Sequence, residues 1–526
     1  MDSGLKELGT TATAADVIII GSGIGGLCCG ALLARYGLRV TICESHSIPG
    51  GAAHGFERQG FRFDSGPSLY SGLSSRPSTN PLRHVLDAIG EADSLAWANY
   101  DTWGVRLPEG DFDTTVGNDQ FCQVLQRLRG EQAVQEWRQL QRVMAPLGRA
   151  ATALPPATLR LDWGALQTVW PYGWALVQNA PALAQSSQPF SAVLDRTVTD
   201  PFIRHWMDML CFLLSGLPAE GTSTAEIAFM FAEWYRPGVT LDYPIGGSAA
   251  VVNALVRGLE KFGGTLRLGA PVQTIRVDGG RATGVTLRSG ETLTAKRAVV
   301  SNASIWDTLP LLPTGALPQS FVEERQAMPT CPSFLHLHLG IDATGLPKDL
   351  ACHYITLQAW ELGITAPQNL IVMSIPTVLD PSLAPPGKHT IHVYTPATEP
   401  YDLWQGLDRR SPEYAALKAQ RAEPLWQALE RVIPEVRQRV EVELVGTPLT
   451  HERFLRRHRG SYGPAISVQD GLVPSGKTPL PGLWCTGDCT FPGIGLPAVA
   501  ASGWIVANSL VPVGQQQQVL RASLGT

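Results

Sequence analysis

Residues 16 to 44 constrain the fold of this 526-residue chain more than any other stretch. Val17 to Ile20 is a β-branched apolar run that suits a parallel strand buried on both faces. It breaks at Gly21-x-Gly23-x-x-Gly26, which encloses Ile24 and Gly25, and Leu27 to Tyr36 then reads as a helix. Gly21 allows the tight turn and Gly23 lets the backbone approach a pyrophosphate. Gly26 lets helix and strand pack closely, with the phosphates on the helix N-terminus. Leu38 to Cys43 is a second strand, and Glu44 ends it 18 residues after the last glycine. A carboxylate there accepts hydrogen bonds from both ribose hydroxyls and repels a 2′-phosphate. Strand, helix, second strand and acid in this order predict a dinucleotide site rather than a bare Gly-rich turn.

The length allows two or three domains with sizeable cores. A formal charge of −5 gives no reason to expect nucleic acid as a partner. Nine cysteines, an odd number without repeated spacing, argue against a disulfide framework and for a reducing compartment. Cys485 and Cys489 lack the further ligands a zinc site needs. Residues 1–15 have no apolar core of a secretory signal and read as a short flexible tail. Two stretches without charge, Val17 to Ala34 and Thr490 to Leu520, could pass for membrane spans. The first is the nucleotide motif, and the second is broken by Pro492, Gly493, Gly495 and Pro497, so no spanning helix is expected.

After Glu44, the glycine pair Gly50-Gly51 would let the main chain pass beside the dinucleotide. Phe61 and Phe63 alternate as in a strand, and Asp64-Ser65-Gly66-Pro67-Ser68 reads as a turn. From about 80 to 235 helical patterns alternate with tryptophan-rich, sparsely charged segments around Trp163, Trp170, Trp174 and Trp206. Such helices pack as core, surround an apolar cavity or lie on a bilayer, and together they suggest a lipophilic substrate. Pro244 to Ser248 opens a helix that ends at Gly263-Gly264, and strands up to Ala303 return the chain to the nucleotide domain. In the second excursion His336 and His338 share one strand face. With no carboxylate or third histidine nearby in sequence, no metal is expected there, and cavity lining or structural hydrogen bonding is. The basic run Arg453, Arg456, Arg457, His458, Arg459 reads as a solvated face, with membrane contact or structural ion pairs as alternatives. A C-terminal strand meets Gly487-Asp488, and Pro497 opens a last helix whose N-terminus can hold an anion. Gly493-x-Gly495-x-x-Ala498 imitates a second fingerprint but lacks the following strand and acid.

The fingerprint, Gly50-Gly51, Gly246-Gly247 and Thr486-Gly487-Asp488 together resemble FAD-dependent oxidoreductases of the phytoene-desaturase group, over nearly the whole chain. The finer resemblance is to carotenoid (prolycopene) isomerases and their isomerase-like relatives, with retinol saturases as cousins. It rests on Phe61 to Ser68, the His336/His338 strand, Arg453-Phe454-Leu455 with Gly460 to Pro464, and Gly487 to Gly493. It implies an α/β fold in which a discontinuous Rossmann-like FAD domain (16–79, 236–304 and 441–513) carries an inserted α+β substrate- and membrane-associating domain (80–235 and 305–440). The remaining segments, 1–15 and 514–526, are expected as tails. By the same resemblance Gly21, Gly23, Ile24, Gly25 and Gly26 admit the pyrophosphate, Glu44 holds the adenosine ribose and Val272 lies beside the adenine. Gly50, Gly51, Gly66, Pro67 and Ser68 pass along the FAD, Gly487 and Asp488 meet the ribityl chain, and Gly495, Leu496, Pro497 and Ala498 border the flavin. Carotenoid isomerases typically carry Gln-Gly-Leu-Asn where this chain has Ile494-Gly495-Leu496-Pro497, which favours the isomerase-like side branch.

The implied activity is cis/trans isomerisation of a carotenoid-like polyene by reduced FAD, the protein supplying orientation and a dry tunnel. No catalytic residue is identified. A desaturase or retinoid-type saturase, with net electron transfer, and a non-catalytic flavin-containing carotenoid-binding protein are the alternatives. With one nucleotide fingerprint, a quinone or oxygen is the expected electron acceptor. The expected location is the cytoplasmic side of a plastid-type or bacterial membrane, in peripheral contact with its surface.

Overall fold

The computed structural model describes residues 14–66, 68–117, 119–236 and 238–524. The strand Ala14–Ile20 lies between two parallel neighbours, Val40–Cys43 and Thr292–Ser301. Thr265–Arg267 extends one side of this sheet, and Arg281–Leu287 and Val272–Asp278 extend the other as an antiparallel pair. Leu483–Cys485 runs parallel beside Val299 to Ser301. Val17 to Ile20 are buried, as the unbroken β-branched run requires. The helix Ile24–Arg35 is buried along its length against this sheet and the C-terminal helix Leu496–Ser509. Small residues permit that closeness: a Cβ on Gly30 would stand 2.7 Å from Ile42 Cδ1, and one on Gly503 would stand 2.5 Å from the Gly25 carbonyl oxygen. Cys28 and Cys29 fill the same interface, and burial pushes both thiols up.

A second seven-stranded sheet has the order Val440–Gly446, Ser333–Asp342, Lys388–Glu399, Leu370–Ser374, His353–Leu357, Thr102–Leu107 and Gly110–Thr115. Leu335, Leu337, Leu339 and Ile341 face a core closed by Leu425, Trp426 and Leu429 of the helix Pro412–Glu430. Strand alternation turns His336 and His338 to the opposite face. Helices from Asp119–Arg129 to Thr224–Trp234 form a third core around Trp137 and Phe121, whose rings meet edge to face at 4.7 Å.

The tryptophan-rich stretch divides. Trp206 is 2% exposed within that core, whereas Trp163, Trp170 and Trp174 are 89%, 84% and 72% exposed. Three boundaries differ from the sequence reading. The helix Pro81–Ile89, expected in the inserted domain, buries Leu82, Val85, Leu86 and Ile89 in the nucleotide-domain core. The strand Val440–Gly446, mostly expected in the nucleotide domain, completes the second sheet beside Ser333–Asp342. Of the expected tail 514–526, the described part belongs to the helix Val513–Leu524. Its Gln516 is buried, donating to the Ala157 carbonyl at 2.9 Å and accepting from Arg160 Nη1 at 3.0 Å. Nearly all of the N-terminal tail (1–13) lies outside the described residues, and Ala14 and Ala15 already belong to the first strand. Among the described residues no helix is long and apolar enough to cross a membrane.

Candidate functional site

The glycine loop leaves the strand Ala14–Ile20 and opens the helix Ile24–Arg35, with Asn302 directly beneath it. A Cβ on Gly23 would stand 2.6 Å from Asn302 Nδ2, and one on Gly25 would stand 2.8 Å from Asn302 Oδ1 and 3.1 Å from Gly487 Cα. Asn302, which the sequence reading passed over as a strand end, therefore joins the fingerprint to the Gly487 turn. The signal was its position at the close of an apolar strand, level with Gly21: Asn302 N–H donates to the Ile20 carbonyl at 2.8 Å.

Gly50 bridges to Gly23, its N–H donating to the Ser22 carbonyl at 3.0 Å. Gly50 and Gly51 have φ of 113° and 56°, and a Cβ on Gly51 would lie 3.0 Å from Gly23 Cα. Only glycine passes there without strain. Gly66 sits against the next stretch, where a Cβ would meet the Ala52 carbonyl oxygen at 2.3 Å. Ser68 is buried, with its hydroxyl 3.4 Å from that of Tyr394. Pro67 lies outside the described residues.

Glu44 is buried at the end of its strand. Its Oε2 accepts from the Ser22 N–H at 2.8 Å and hydroxyl at 2.7 Å, and its Oε1 from the His46 N–H at 2.7 Å and the Ser45 hydroxyl at 3.2 Å. The segment leading to Val272 runs alongside, with the Ala270 N–H donating to the Glu44 carbonyl at 2.7 Å. At the other end, the Ser502 hydroxyl accepts from Gly487 N–H at 3.1 Å and meets Thr486 Oγ1 at 3.1 Å and Thr490 Oγ1 at 2.6 Å. This fixes the turn on the helix Leu496–Ser509, which has Pro497 and Ala498 in its first turn and Gly495 as its N-cap. Asp488 is ion-paired through Oδ2 with Arg457. Arg459 pairs with Asp402, so the basic run provides structural ion pairs at these two positions rather than a uniform solvated face. Two touching glycine segments and a buried carboxylate at the strand end fit a dinucleotide, and side chains on Gly51 or Gly66 would press into the Gly23 and Ala52 backbone that shapes the cradle.

The polar face of the second sheet meets the end of the strand Phe61–Asp64, where His338 Nε2 lies 3.1 Å from the Asp64 carbonyl oxygen. Asp64 is held by the Ser248 N–H at 2.8 Å and the Tyr243 hydroxyl at 2.9 Å, and burial raises its carboxyl above the ordinary range. His336 and His338 point into the same region, as strand alternation predicts. The sequence reading missed His392, directly opposite His338 on the neighbouring strand, and His451, whose ring lies 4.6 Å from that of His336. No local spacing links them to the His-x-His pair. Burial, reinforced by the neighbouring imidazoles, pushes His336 and His392 well below the ordinary range. Burial also takes His338 down to about 4 and His451 to about 3. All four are neutral at physiological pH.

Comparison with known proteins agrees with this arrangement. Residues 24–511 match the family model described as flavin containing amine oxidoreductase. Prolycopene isomerase 1, chloroplastic, of an Oncidium hybrid cultivar is 32% identical over 536 residues, covering 97% of this chain and 86% of that protein. The Daucus carota prolycopene isomerase is 31% identical over 97% of this chain and 82% of its own. The Rattus norvegicus all-trans-retinol 13,14-reductase is 27% identical over 90% of this chain and 82% of its own. Among solved structures, an oxidoreductase from Methanosarcina mazei superposes with a TM-score of 0.60 at 20% identity, covering 93% of this chain and 98% of that one. Putrescine oxidase does so with 0.59 at 15% identity, over 98% and 99%. These two support the fold alone. The chain belongs to the flavin containing amine oxidoreductase family and is a relative of the prolycopene isomerases.

Proposed function

We propose that this enzyme binds FAD and isomerises a cis double bond of a carotenoid-like polyene. The observation that carries the reading is the 32% identity to a prolycopene isomerase across 97% of the chain. In its reduced form FAD would supply the electrons that transiently lower the order of one polyene double bond, and recover them after rotation. The glycine segments at 21–26 and 50–51 would hold the pyrophosphate. Ribose hydroxyls would replace the Ser22 and Ser45 hydroxyls on Glu44, whose four acceptor positions are now all used. Asp488 would share its carboxylate between Arg457 and the ribityl chain. The unpaired N–H groups at Leu496 and Ala498 would favour negative charge beside the flavin. Neutral histidines and Tyr394 would line a substrate space kept free of bulk water.

The retinol-reductase relatives favour saturation as the second reading, in which reduced flavin would give two electrons to the polyene; a quinone or oxygen would accept electrons only in the opposite, desaturating direction. Anaerobic single turnover separates the two. With reduced enzyme and a cis-carotenoid, the expected result is a change of geometry with the flavin spectrum unchanged. A saturated product with oxidised flavin would establish the second reading, and no change over a broad panel would leave a binding protein.

The exposed surface supports peripheral membrane contact. No charged residue stands between Asp162 and Asp195. Within that stretch Trp163, Leu166, Trp170, Trp174 and Val177 are all exposed. Large indoles on a charge-free helical surface suit the headgroup–acyl boundary, where apolar rings are buried and the indole N–H stays hydrated. Replacing Trp163, Trp170 and Trp174 together by glutamine is expected to weaken sedimentation with phospholipid vesicles by at least about tenfold, since each indole withdraws apolar area from the interface. Flavin content and the melting temperature should not move, because none of the three rings is part of the core. Vesicle binding equal to the unaltered protein's would reject this surface.

A further inference from the structure

We propose that His336, His338 and His392 form a binding site for a divalent transition-metal ion, with one imidazole nitrogen from each as ligand. The three side chains are 3%, 7% and 4% exposed, and their ligand atoms all lie within 4.8 Å of one another. Two adjacent strands hold them in place. His336 and His338 alternate on Ser333–Asp342, and His392 stands opposite His338 on Lys388–Glu399. The rings are nearly parallel, 4.2 Å apart for His338 and His392 and 4.8 Å apart for His336 and His392.

Within the cluster one contact is short and two nitrogens are unmatched. His336 Nδ1 and His392 Nε2 are 2.6 Å apart, so a single proton is shared between them. Their far nitrogens, His336 Nε2 and His392 Nδ1, are buried and find no hydrogen-bond partner among the described residues. Whichever ring carries the shared proton, the other must carry its own on its far nitrogen. One buried N–H and one buried lone pair are thus left unmatched. A metal ion in place of the shared proton would take the near lone pair of both rings, each ring then carrying its proton on the far nitrogen. The cost is a second unmatched buried N–H and an opening of the nitrogen–nitrogen distance to about 3.3 Å for metal–nitrogen bonds of about 2.0–2.1 Å.

His338 is oriented independently. Its Nε2 lies 3.1 Å from the Asp64 carbonyl oxygen, which can only accept. The proton must therefore sit on Nε2, leaving the Nδ1 lone pair free. A ligating histidine whose other N–H donates to a backbone carbonyl is the usual way such a ring is fixed. Three imidazoles without thiolate or carboxylate suit zinc and its first-row neighbours rather than calcium or magnesium.

Full-length protein purified without a polyhistidine tag and dialysed against Zn²⁺ tests this by elemental mass spectrometry. The expected content is about one zinc per chain. It should fall at least tenfold in both His338→Asn and His392→Asn, with flavin absorbance retained. His205→Asn, whose ring stacks on Trp360 outside the cluster, should keep the metal. If the two variants do not fold, the unaltered protein decides. Saturating Zn²⁺ should raise its melting temperature, and a chelator should reverse the rise, because an ion bound only by the folded state stabilises it. Zinc retained by both variants, or no bound zinc and no thermal shift in the unaltered protein, overturns the site.

Discussion

Gly26→Ala is expected to abolish flavin binding, giving a colourless protein where the unaltered chain is yellow. The new Cβ would stand 2.4 Å from the Gly21 carbonyl oxygen and 3.0 Å from Asn302 Cβ, and the first of these is a backbone atom that cannot swing away. Relief requires the helix Ile24–Arg35 to move off its strand. Gly503 blocks that path, because its Cα already packs against the Gly25 carbonyl. Overpacking of this kind costs about 1–3 kcal/mol in a well-packed core. The larger effect falls on the ligand, since the displaced helix carries the N–H groups that would face the pyrophosphate. A fall of more than about tenfold in bound flavin per chain is expected, equivalent to at least about 1.4 kcal/mol of binding energy. Gly173→Ala, at an ordinary φ with nothing within 4 Å of the added atom, is the matched control and should stay fully loaded. A yellow Gly26→Ala protein with normal flavin content would mean that the pyrophosphate is held elsewhere.

The cradle was legible because its information is local. A buried parallel strand, a glycine turn, a helix and a second strand all fall within Asp16 to Glu44, and the two strands pair directly with each other. Pro497 similarly announced the helix Leu496–Ser509, which begins one residue before it. What could not be read depended on partners remote in the chain. His392 reaches His336 across 56 residues, and no spacing rule relates the two strands. Gln516 lies in a run of four glutamines that reads as a solvated tail, yet Arg160 and the Ala157 carbonyl give its amide partners in the interior. Trp206 and Trp163 both lie in tryptophan-rich, sparsely charged sequence, and the packing of Phe121 and Phe202 on Trp206 separates core from surface. The basic run was ambiguous for the same reason, since Asp488 and Asp402, which pair with Arg457 and Arg459, lie elsewhere in the chain.

Arg421→Met is expected to destabilise the substrate-side domain strongly. Glu399 ends the strand that carries His392 and Tyr394, and its side chain is 0% exposed. Arg421 on the helix Pro412–Glu430 grips it with two bonds, Nη2 to Oε2 at 2.7 Å and Nε to Oε1 at 3.0 Å, and Trp404 Nε1 donates to Oε1 at 2.9 Å. The pair fastens helix to sheet. Methionine keeps the bulk of the side chain but leaves a carboxylate buried without its counter-charge, a change that typically costs about 3–5 kcal/mol. For a chain of this length that corresponds to roughly 1 °C of melting temperature per kcal/mol. The pH dependence identifies the cause. In the variant, burial without arginine should raise the Glu399 carboxyl above its unfolded value, so the folded state binds the extra proton. The stability that proton provides is present below the unfolded carboxylate range and is lost as pH rises through the folded value. The deficit relative to the unaltered protein should therefore be smaller near pH 5 than near pH 8. Glu399→Gln combined with Arg421→Met removes the buried charge and should recover most of the loss at the higher pH. Arg437→Met breaks an ion pair with Glu423 in which both side chains are more than 40% exposed. It should cost no more than about 1 kcal/mol. Equal losses for Arg421→Met and Arg437→Met, or a deficit independent of pH, would show that the arginine acts through packing of its stem rather than through the buried charge.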